Sequence, residues 1–442
     1  MLLPFHFLRA QWAFTHLRGD ALRRYQARRA RGVVAYAIRH APFYAAHWAG
    51  CDRSDWRRLP PVDKALMMAH FGTFNTRGIA REEAMEVALR AERTRDFALT
   101  LRGGVTVGLS SGTSGYRGLF LASPAETAAW AGTALARVLH RVPPCGYRVA
   151  FFLRSNSNLY EKVGASRRVA FRWFDLMTPL DEAVAALNEF APHLLVGPPS
   201  LLGMLADARR EGTLRIAPER LVSVAEVLEP QERARLEAAF GVPAHQVYQC
   251  TEGFLAATCP AGRLHVQEDV VALQYEAVDW ADPSRVTPVV TDLWRRTQPI
   301  LRYRLGDVLR LSDERACPCG CDWQVVEAIE GRCDDVCHFV LPDGTLRPFF
   351  PDTIRRLVLL SDARIRDYAA EQERPGHLRV YLDVAEDADF DAVARAVRAS
   401  AEATVVGQYG CRPPCVEVER GLPPAAPGAK RRRVRRLDGG SP

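Results

Sequence analysis

Between residues 106 and 250 the chain alternates short apolar runs with longer amphipathic ones. VTVGL is followed by a helix-forming stretch from Pro124 to Leu139, then YRVAFFL. A second such stretch runs from Leu180 to Phe190, then HLLVG, a third from Pro199 to Arg210, then RLVSVAE, and a fourth from Pro230 to Phe240 before HQVYQC. Strand-length runs joined by helical crossovers predict an α/β sheet with mainly parallel pairing. Guests of such sheets bind beyond the carboxyl ends of the strands. Two polar motifs fall at predicted strand ends, SSGTSG at 110–115 and TEG at 251–253.

The flanks read differently. Residues 1–100 are mostly helical, with apolar residues at three- and four-residue spacing from Ala10 to Arg39 and shorter helices from Asp63 to His70 and Arg81 to Arg90. Leu264 to Leu311 reads as strand. After GRCDD at 331–335 the composition resets: DVCHFVL, IRDYAAEQ, LRVYLDV and PCVEVER read as strands, Pro351 to Leu360 and Asp391 to Ala401 as helices. The expected fold class is α/β: a large N-terminal α/β domain with mixed sheets over 1–330, its first 100 residues mainly helical, and a small C-terminal α+β domain over 331–442.

Of the 442 residues, 48% are hydrophobic, enough for a large core. No apolar run approaches the ~18 residues that span a bilayer. Residues 1–17, with Trp12 and Phe14, read as an amphipathic helix packed on the body. No secretory signal is visible and the 11 cysteines are an odd, scattered set, so a cytoplasmic protein with reduced thiols is expected. The formal charge is +7, and six positive charges sit in KRRRVRR at 430–436, leaving 7 − 6 = +1 for the rest. A general nucleic-acid surface spreads its charge over a face, so no nucleic-acid partner is expected. There are three lysines, Lys64, Lys162 and Lys430, in a chain that otherwise uses arginine, so each isolated ammonium group draws attention.

In the loop Ser110, Ser111, Gly112, Thr113, Ser114 and Gly115, glycines allow close backbone approach and successive N–H groups form an anion-binding concavity. The lysine of the common P-loop is absent. In YQCTEG, Glu252 suits a magnesium ion bridging phosphates, Thr251 a phosphate oxygen, and Tyr248 a stacked base. RYRLGD ends in Asp307, an acceptor for ribose hydroxyls, GRCDD offers Arg332 as a donor to the same sugar, and PGAK places Lys430 near the end of the chain. Singly, each has a plain alternative: a polar turn, a surface ion pair, part of a solvated basic tail.

In this order, SSGTSG, YQCTE, YRLGD, GRCDD and PGAK resemble the successive motifs of the adenylate-forming superfamily of acyl-CoA ligases, luciferases and peptide-synthetase adenylation domains. TDLWRRTQPILRYRLGDVLRL, CPCG and the GR-DD motif are similar to the phenylacetate–CoA ligase branch, which includes synthetases that adenylylate a deazaflavin cofactor. LSSGTSGYRGLFL, SVAEVLEPQERARLEAAFGVPAHQVYQCTEGFLAATC and EAIEGRCDD resemble a clade of adenylate-forming enzymes related to those synthetases. The resemblance implies ATP and magnesium, with residues 110–115 holding the β- and γ-phosphates, Thr113 among them, and Glu252 holding the ion. Ala225 and Glu226 would lie against the adenine, Tyr248 would face the base, Asp307 and Arg332 would bind ribose, and Asp334 would be the hinge of a mobile small domain. Lys430 would act in adenylation.

Two departures matter. Tyr116-Arg117 stands where the loop usually carries a lysine, and arginine keeps the charge without the point geometry. The lysine and glycine that commonly follow GRCDD are missing, so the acceptor stays open. The implied reaction joins an organic acid, aromatic acids included, to AMP and then to the thiol of CoA or a carrier. An alternative transfers AMP to a hydroxyl of a cofactor-like substrate, and a non-catalytic alternative uses KRRRVRR as a binding module. FFLRSNSNLYEKV at 151–163 and FRWF at 171–174 could edge the acid pocket. Cys259, His265, Cys317 and Cys319, with Cys321 as a spare, have the donor types of a tetrahedral zinc site, free buried thiols being the alternative, and some relatives in the phenylacetate–CoA ligase branch carry such a structural set.

Overall fold

The computed structural model describes residues 2–110, 117–141, 145–153, 168–278, 282–386, 388–424 and 432–437. The chain divides into two compact units, Met1–Leu305 with Arg310–Ala328, and Gly306–Leu309 with Ile329–Pro442. The fold is α/β, with a large mixed sheet and a smaller C-terminal α+β unit.

The first unit contains a hairpin of β1 (Thr106–Leu109) and β2 (Leu119–Ala122), then β3 (Tyr147–Leu153), β4 (Val169–Asp175), β5 (Leu194–Gly197), β6 (Arg220–Ser223), β7 (Ala244–Cys250), β8 (Gly253–Thr258) and β9 (Leu264–Val266). Strands β4-β3-β5-β6-β7 lie side by side and parallel; β8 and β9 continue the sheet antiparallel. Successive side chains of a strand point to opposite faces, and both faces here are apolar. Ala150, Leu195 and Leu221 pack with Leu187, Leu202, Leu205 and Leu236 of the helices Leu180–Phe190, Pro199–Arg210 and Pro230–Phe240. Val149, Leu194, Val196 and Val222 face the other way, onto Phe7, Ala10, Ala131 and Leu139 of the helices Leu2–His16 and Pro124–Leu139. At roughly 25 cal/mol per Å² of apolar surface buried, this double layer dominates the unit's stability.

Local chemistry sets the element ends. Ser123 and Glu126 form a reciprocal capping box at the helix Pro124–Leu139, and Pro124 occupies its first turn. The helix Pro230–Phe240 stops at Gly241, φ 72°. The helical stretch read from Ala10 to Arg39 is two helices, Leu2–His16 and Gly19–His40, broken where Arg18 is extended. The N-terminal helix packs on the body, as its apolar face implies. FRWF lies in β4, a strand the alternation did not single out: Phe174 is core, stacked 4.7 Å from Phe152, while the Trp173 indole donates to the Leu153 carbonyl. Residues 154–163 of the other suggested acid-pocket segment lie outside the described residues.

One placement corrects the sequence reading. β1 is not a strand of the parallel sheet. It pairs with β2 in a separate two-stranded sheet, with Leu109 opposite Leu119 and Gly108 opposite Phe120. The serine–glycine segment therefore connects a hairpin. A Cβ on Gly108 would lie 2.1 Å from the Phe120 ring, so a larger residue there would push that ring from its place over the backbone.

In the second unit, Ile365–Gln372 and His377–Val384 form an antiparallel pair, flanked in parallel by Val434–Arg436 and Cys415–Arg420 respectively. Helices Pro351–Leu359 and Phe390–Glu402 supply Ile354, Leu357, Val393 and Val397 to a core with Phe339, Tyr368, Val380 and Val434. The end of KRRRVRR is thus a strand and not a solvated tail: Val434 is buried, and the arginines beside it face partners. Arg432 pairs with Asp335, Arg433 with Asp367 at 2.9 Å, Arg435 with Glu371, and Arg436 with the His338 ring at 3.1 Å. Packing of an apolar residue in the run and carboxylates on the neighbouring strand draw it in. No helix among the described residues is long and apolar enough to cross a membrane.

Candidate active site

The carboxyl ends of β5, β6 and β7 lie next to one another, since Gly197 is opposite Ser223 and Ser223 opposite Gln246. Just beyond β6, Ala225 has φ 70°, a left-handed conformation that costs a residue with a Cβ about 1 kcal/mol or more. Glu226 accepts from the backbone N–H and the hydroxyl of Ser200 at 3.2 and 3.1 Å, which ties this turn to the start of the helix after β5. On β7, Tyr248 is 8% exposed, and the ladder shifts register between Tyr248 and Gln249. Such an irregularity bends a strand and re-aims the residues after it. Beyond the bend stands Thr251, whose hydroxyl donates to Glu252 at 2.7 Å.

The serine–glycine segment is closed at its foot. Ser110 N–H donates to the Gly118 carbonyl and Gly118 N–H to Ser110 Oγ, both at 2.7 Å. Ser111, Gly112, Thr113, Ser114 and Gly115 lie outside the described residues, as does Lys430. Arg117 is committed to Glu92, at 2.8 Å through one nitrogen, and its Nε reaches the Ser110 carbonyl.

Within the first unit Arg295 joins the strand after this foot to the Thr251–Glu252 turn, and Gln298 braces the same strand. Arg295 donates to the Thr251 carbonyl at 2.6 Å and to the Leu121 carbonyl of β2 at 3.2 Å. Gln298 receives Leu121 N–H at 2.8 Å and donates to the Leu119 carbonyl at 3.2 Å. On the other flank, Val62 exchanges backbone hydrogen bonds with Arg302 and Arg304 around Tyr303. The buried Tyr303 hydroxyl meets no partner in good hydrogen-bond geometry and faces the Glu252 carboxylate; burial and that negative charge push the phenol far above its ordinary range. A buried hydroxyl beside a carboxylate suits a polar guest, and Glu252 has the oxygen donors for a hard cation there. Tyr303 opens the YRLGD motif, in which the sequence reading gave a role to Asp307 alone, whereas Arg295 and Gln298 carry no motif of their own. The signal of those two was their place in TDLWRRTQPIL, between YQCTEG and YRLGD.

In the second unit Asp307 and Arg332 are neighbours, 3.5 Å apart, and Arg332 Nε lies 4.0 Å from Asp334. The Cys333 N–H donates to the Gly306 carbonyl, which keeps LGD beside GRCDD. Asp335 is buried and accepts from Arg432.

A separate group lies in the first unit. The ligand atoms of Cys259, His265, Cys317 and Cys319 are all within 4.8 Å of one another. Cys259 Sγ is 3.7 Å from Cys317 Sγ, and Cys319 Sγ is 3.6 Å from His265 Nε2. His265 Nδ1 lies 3.0 Å from the Trp323 carbonyl, which orients the other ring nitrogen to the thiols. Zn–S and Zn–N bonds of ~2.0–2.3 Å in a tetrahedron set ligand atoms roughly 3.3–3.8 Å apart, which the Cys259–Cys317 and Cys319–His265 pairs meet. Cys321, the spare, is buried outside the set.

No family model matches the chain, and no curated protein does. Solved structures do. A 2-hydroxyisobutyryl-CoA ligase in the postadenylation state, in complex with R3-HIB-AMP, is similar at TM-score 0.71 and 20% identity, over 97% of this chain and 91% of that one. The same ligase in an open conformation with 2-HIB-AMP and CoA is similar at TM-score 0.60 and 21% identity, over 95% and 92%. An anthranilate CoA ligase in complex with anthranoyl-AMP is similar at TM-score 0.51 and 13% identity, over 75% and 66%. At these identities the likeness establishes the fold: the chain shares, over nearly its whole length, the architecture of the 2-hydroxyisobutyryl-CoA ligase.

Proposed function

We propose that the chain is an ATP-dependent adenylate-forming ligase. It joins a small organic acid, aromatic acids included, to AMP, and then passes the acyl group to the thiol of CoA or a carrier. The observation that carries this reading is the tie Arg295 makes between the Thr251–Glu252 turn and β2, the strand that follows the Ser110–Gly118 foot, in a fold shared with acyl-AMP-forming ligases. Such a joint suits a triphosphate: the loop 110–115, Thr113 included, would take its outer phosphates and Thr251 an oxygen beside them. A magnesium ion on Glu252 would neutralise phosphate charge.

In this reading Ala225 and Glu226 lie against the adenine and Tyr248 faces it, while Asp307 and Arg332 take the ribose hydroxyls. The two are half-buried and already paired with each other at 3.5 Å. Lys430 stabilises charge at the reacting oxygens, and Asp334 is the hinge. Catalysis in such a displacement is positioning and charge stabilisation, with little covalent work for the protein. The order of motifs and the Cys259/His265/Cys317/Cys319 cluster support a place in the phenylacetate–CoA ligase branch, with a structural zinc on the cluster and reduced thiols in the cytoplasm.

The test is direct. The purified chain receives ATP, magnesium and a panel of acids, with and without CoA, and pyrophosphate, AMP and acyl products are followed by mass spectrometry. Acid-dependent pyrophosphate release, then CoA-dependent AMP release, is the expected result. AMP attached to a product that is not an acid would replace this reading with adenylyl transfer to a hydroxyl.

A further inference from the structure

The first 40 residues hold eight arginines against one acid, Asp20, so their 8 − 1 = +7 equals the formal charge of the whole chain. Arg24, Arg28, Arg31 and Arg39 are exposed on one face of the helix Gly19–His40, spread over roughly 22 Å. Asp20 is taken by Arg23, and no ion pair among the described residues engages Arg28, Arg31 or Arg39. The helix before it, Leu2–His16, is apolar on two sides. Phe7 and Ala10 face the body, whereas Phe5, Leu8 and Trp12, at spacings of three and four, stand 60%, 58% and 54% exposed. The two helices meet at one indole: Arg9 and Arg29 lie 4.2 and 3.8 Å from the centre of the Trp294 ring. Two residues on, Arg296 lies 4.9 Å over the ring of Tyr36 in the second helix. Burial lowers the Arg29 guanidinium, and the positive charges of Arg296, Arg9 and Arg28 lower it further. An apolar stripe and a basic stripe therefore border the same cluster of positive charge.

We propose that this face, Phe5, Leu8 and Trp12 with Arg24, Arg28 and Arg31, docks the chain as a peripheral protein on an anionic lipid bilayer. Three exposed apolar residues along two turns of helix fall short of a stable protein interface, which takes about 800 Å² from each partner. The arginines of the second helix are strung out, each on its own turn. A lipid surface suits both features. Aromatic and aliphatic side chains insert at headgroup depth, and a diffuse negative potential attracts guanidinium groups without pairing them one by one. The opposite side of the first helix keeps its packing on the body, so docking requires no unfolding. The proposal is independent of the ligase reading.

Sedimentation of the full chain with vesicles of phosphatidylcholine, alone or with about one third phosphatidylserine, tests this at about 0.1 M and about 0.5 M salt, with thermal melting as a check on folding. The wild type should bind the anionic vesicles about tenfold or more tightly than the neutral ones and lose most of that gain at the higher salt. Leu8→Ser with Trp12→Ser, and Arg24→Gln with Arg28→Gln and Arg31→Gln, should each weaken binding to anionic vesicles about tenfold or more. Met204→Ser, at an exposed apolar residue elsewhere, should leave it within about twofold. A wild type that binds neither vesicle overturns the proposal. Binding that ignores the Leu8→Ser, Trp12→Ser change also overturns it, since the face would then be a general polyanion surface. Self-association that the same variant loses, in a wild type that ignores vesicles, would assign the face to a second copy of the chain instead.

Discussion

The Arg432 guanidinium grips both carboxylate oxygens of Asp335, a residue that is only 4% exposed and stands next to Asp334. Burial pushes the Asp335 carboxyl up, and Arg432 is the largest influence pulling it back. The pair pins the chain two residues beyond Lys430 to the GRCDD turn. Arg432→Met should cost about 2–3 kcal/mol, somewhat less than a fully buried pair because Arg432 is partly exposed, read by urea unfolding. In the ligase reading, Lys430→Met should lower acid-dependent pyrophosphate exchange about a hundredfold and leave thioester formation from preformed acyl adenylate within about twofold. Arg432→Met should show the same split in weaker form. Equal losses in both half-reactions would remove Lys430 from the adenylation step.

The four-residue cluster predicts one zinc per chain by elemental analysis. His265→Ala and Cys317→Ser should each lose most of the metal and lower the melting temperature, whereas Cys321→Ser should retain it, because Cys321 lies outside the set. Full zinc content in Cys317→Ser would exclude this site.

Ala225 stores strain at the end of β6, with φ 70°. Ala225→Gly should stabilise the fold by up to about 1 kcal/mol, and Ala225→Val should destabilise it by about 1–2 kcal/mol. If the turn lines the adenine site, the KM for ATP rises severalfold in Ala225→Gly even as the melting temperature increases. Calorimetry and steady-state kinetics on one preparation separate the two effects.

His140 and His245 meet edge-to-face at 5.8 Å, and burial together with the Arg220 charge lowers both to about 4. Each is neutral in the folded chain where an unfolded histidine, near 6.5, would already be protonated. The unfolded state binds more protons in that window, so stability is complete above about pH 6.5 and falls as the pH drops towards about 4. Partial exposure of both rings limits the loss to about 1–3 kcal/mol between pH 7 and pH 5, measured by denaturant unfolding. His140→Asn with His245→Gln should flatten that slope.

Much of this architecture is legible in the residues alone. Helix limits such as Pro124–Leu139, Leu180–Phe190 and Pro199–Arg210 arise from caps, prolines and apolar spacing, all of which act within a few residues of chain. The order of SSGTSG, YQCTEG, RYRLGD and GRCDD, and the donor types around Cys259 and Cys317, are likewise properties of the chain. Tertiary packing decided the rest. That β1 pairs in its own hairpin, that Arg432 clasps Asp335, and that Lys64 crosses Gly118 depend on residues 10 to 97 positions apart. Periodicity reports which face of an element is buried, but not which distant side chain arrives there, because that choice is made by shape and charge once the layers have assembled.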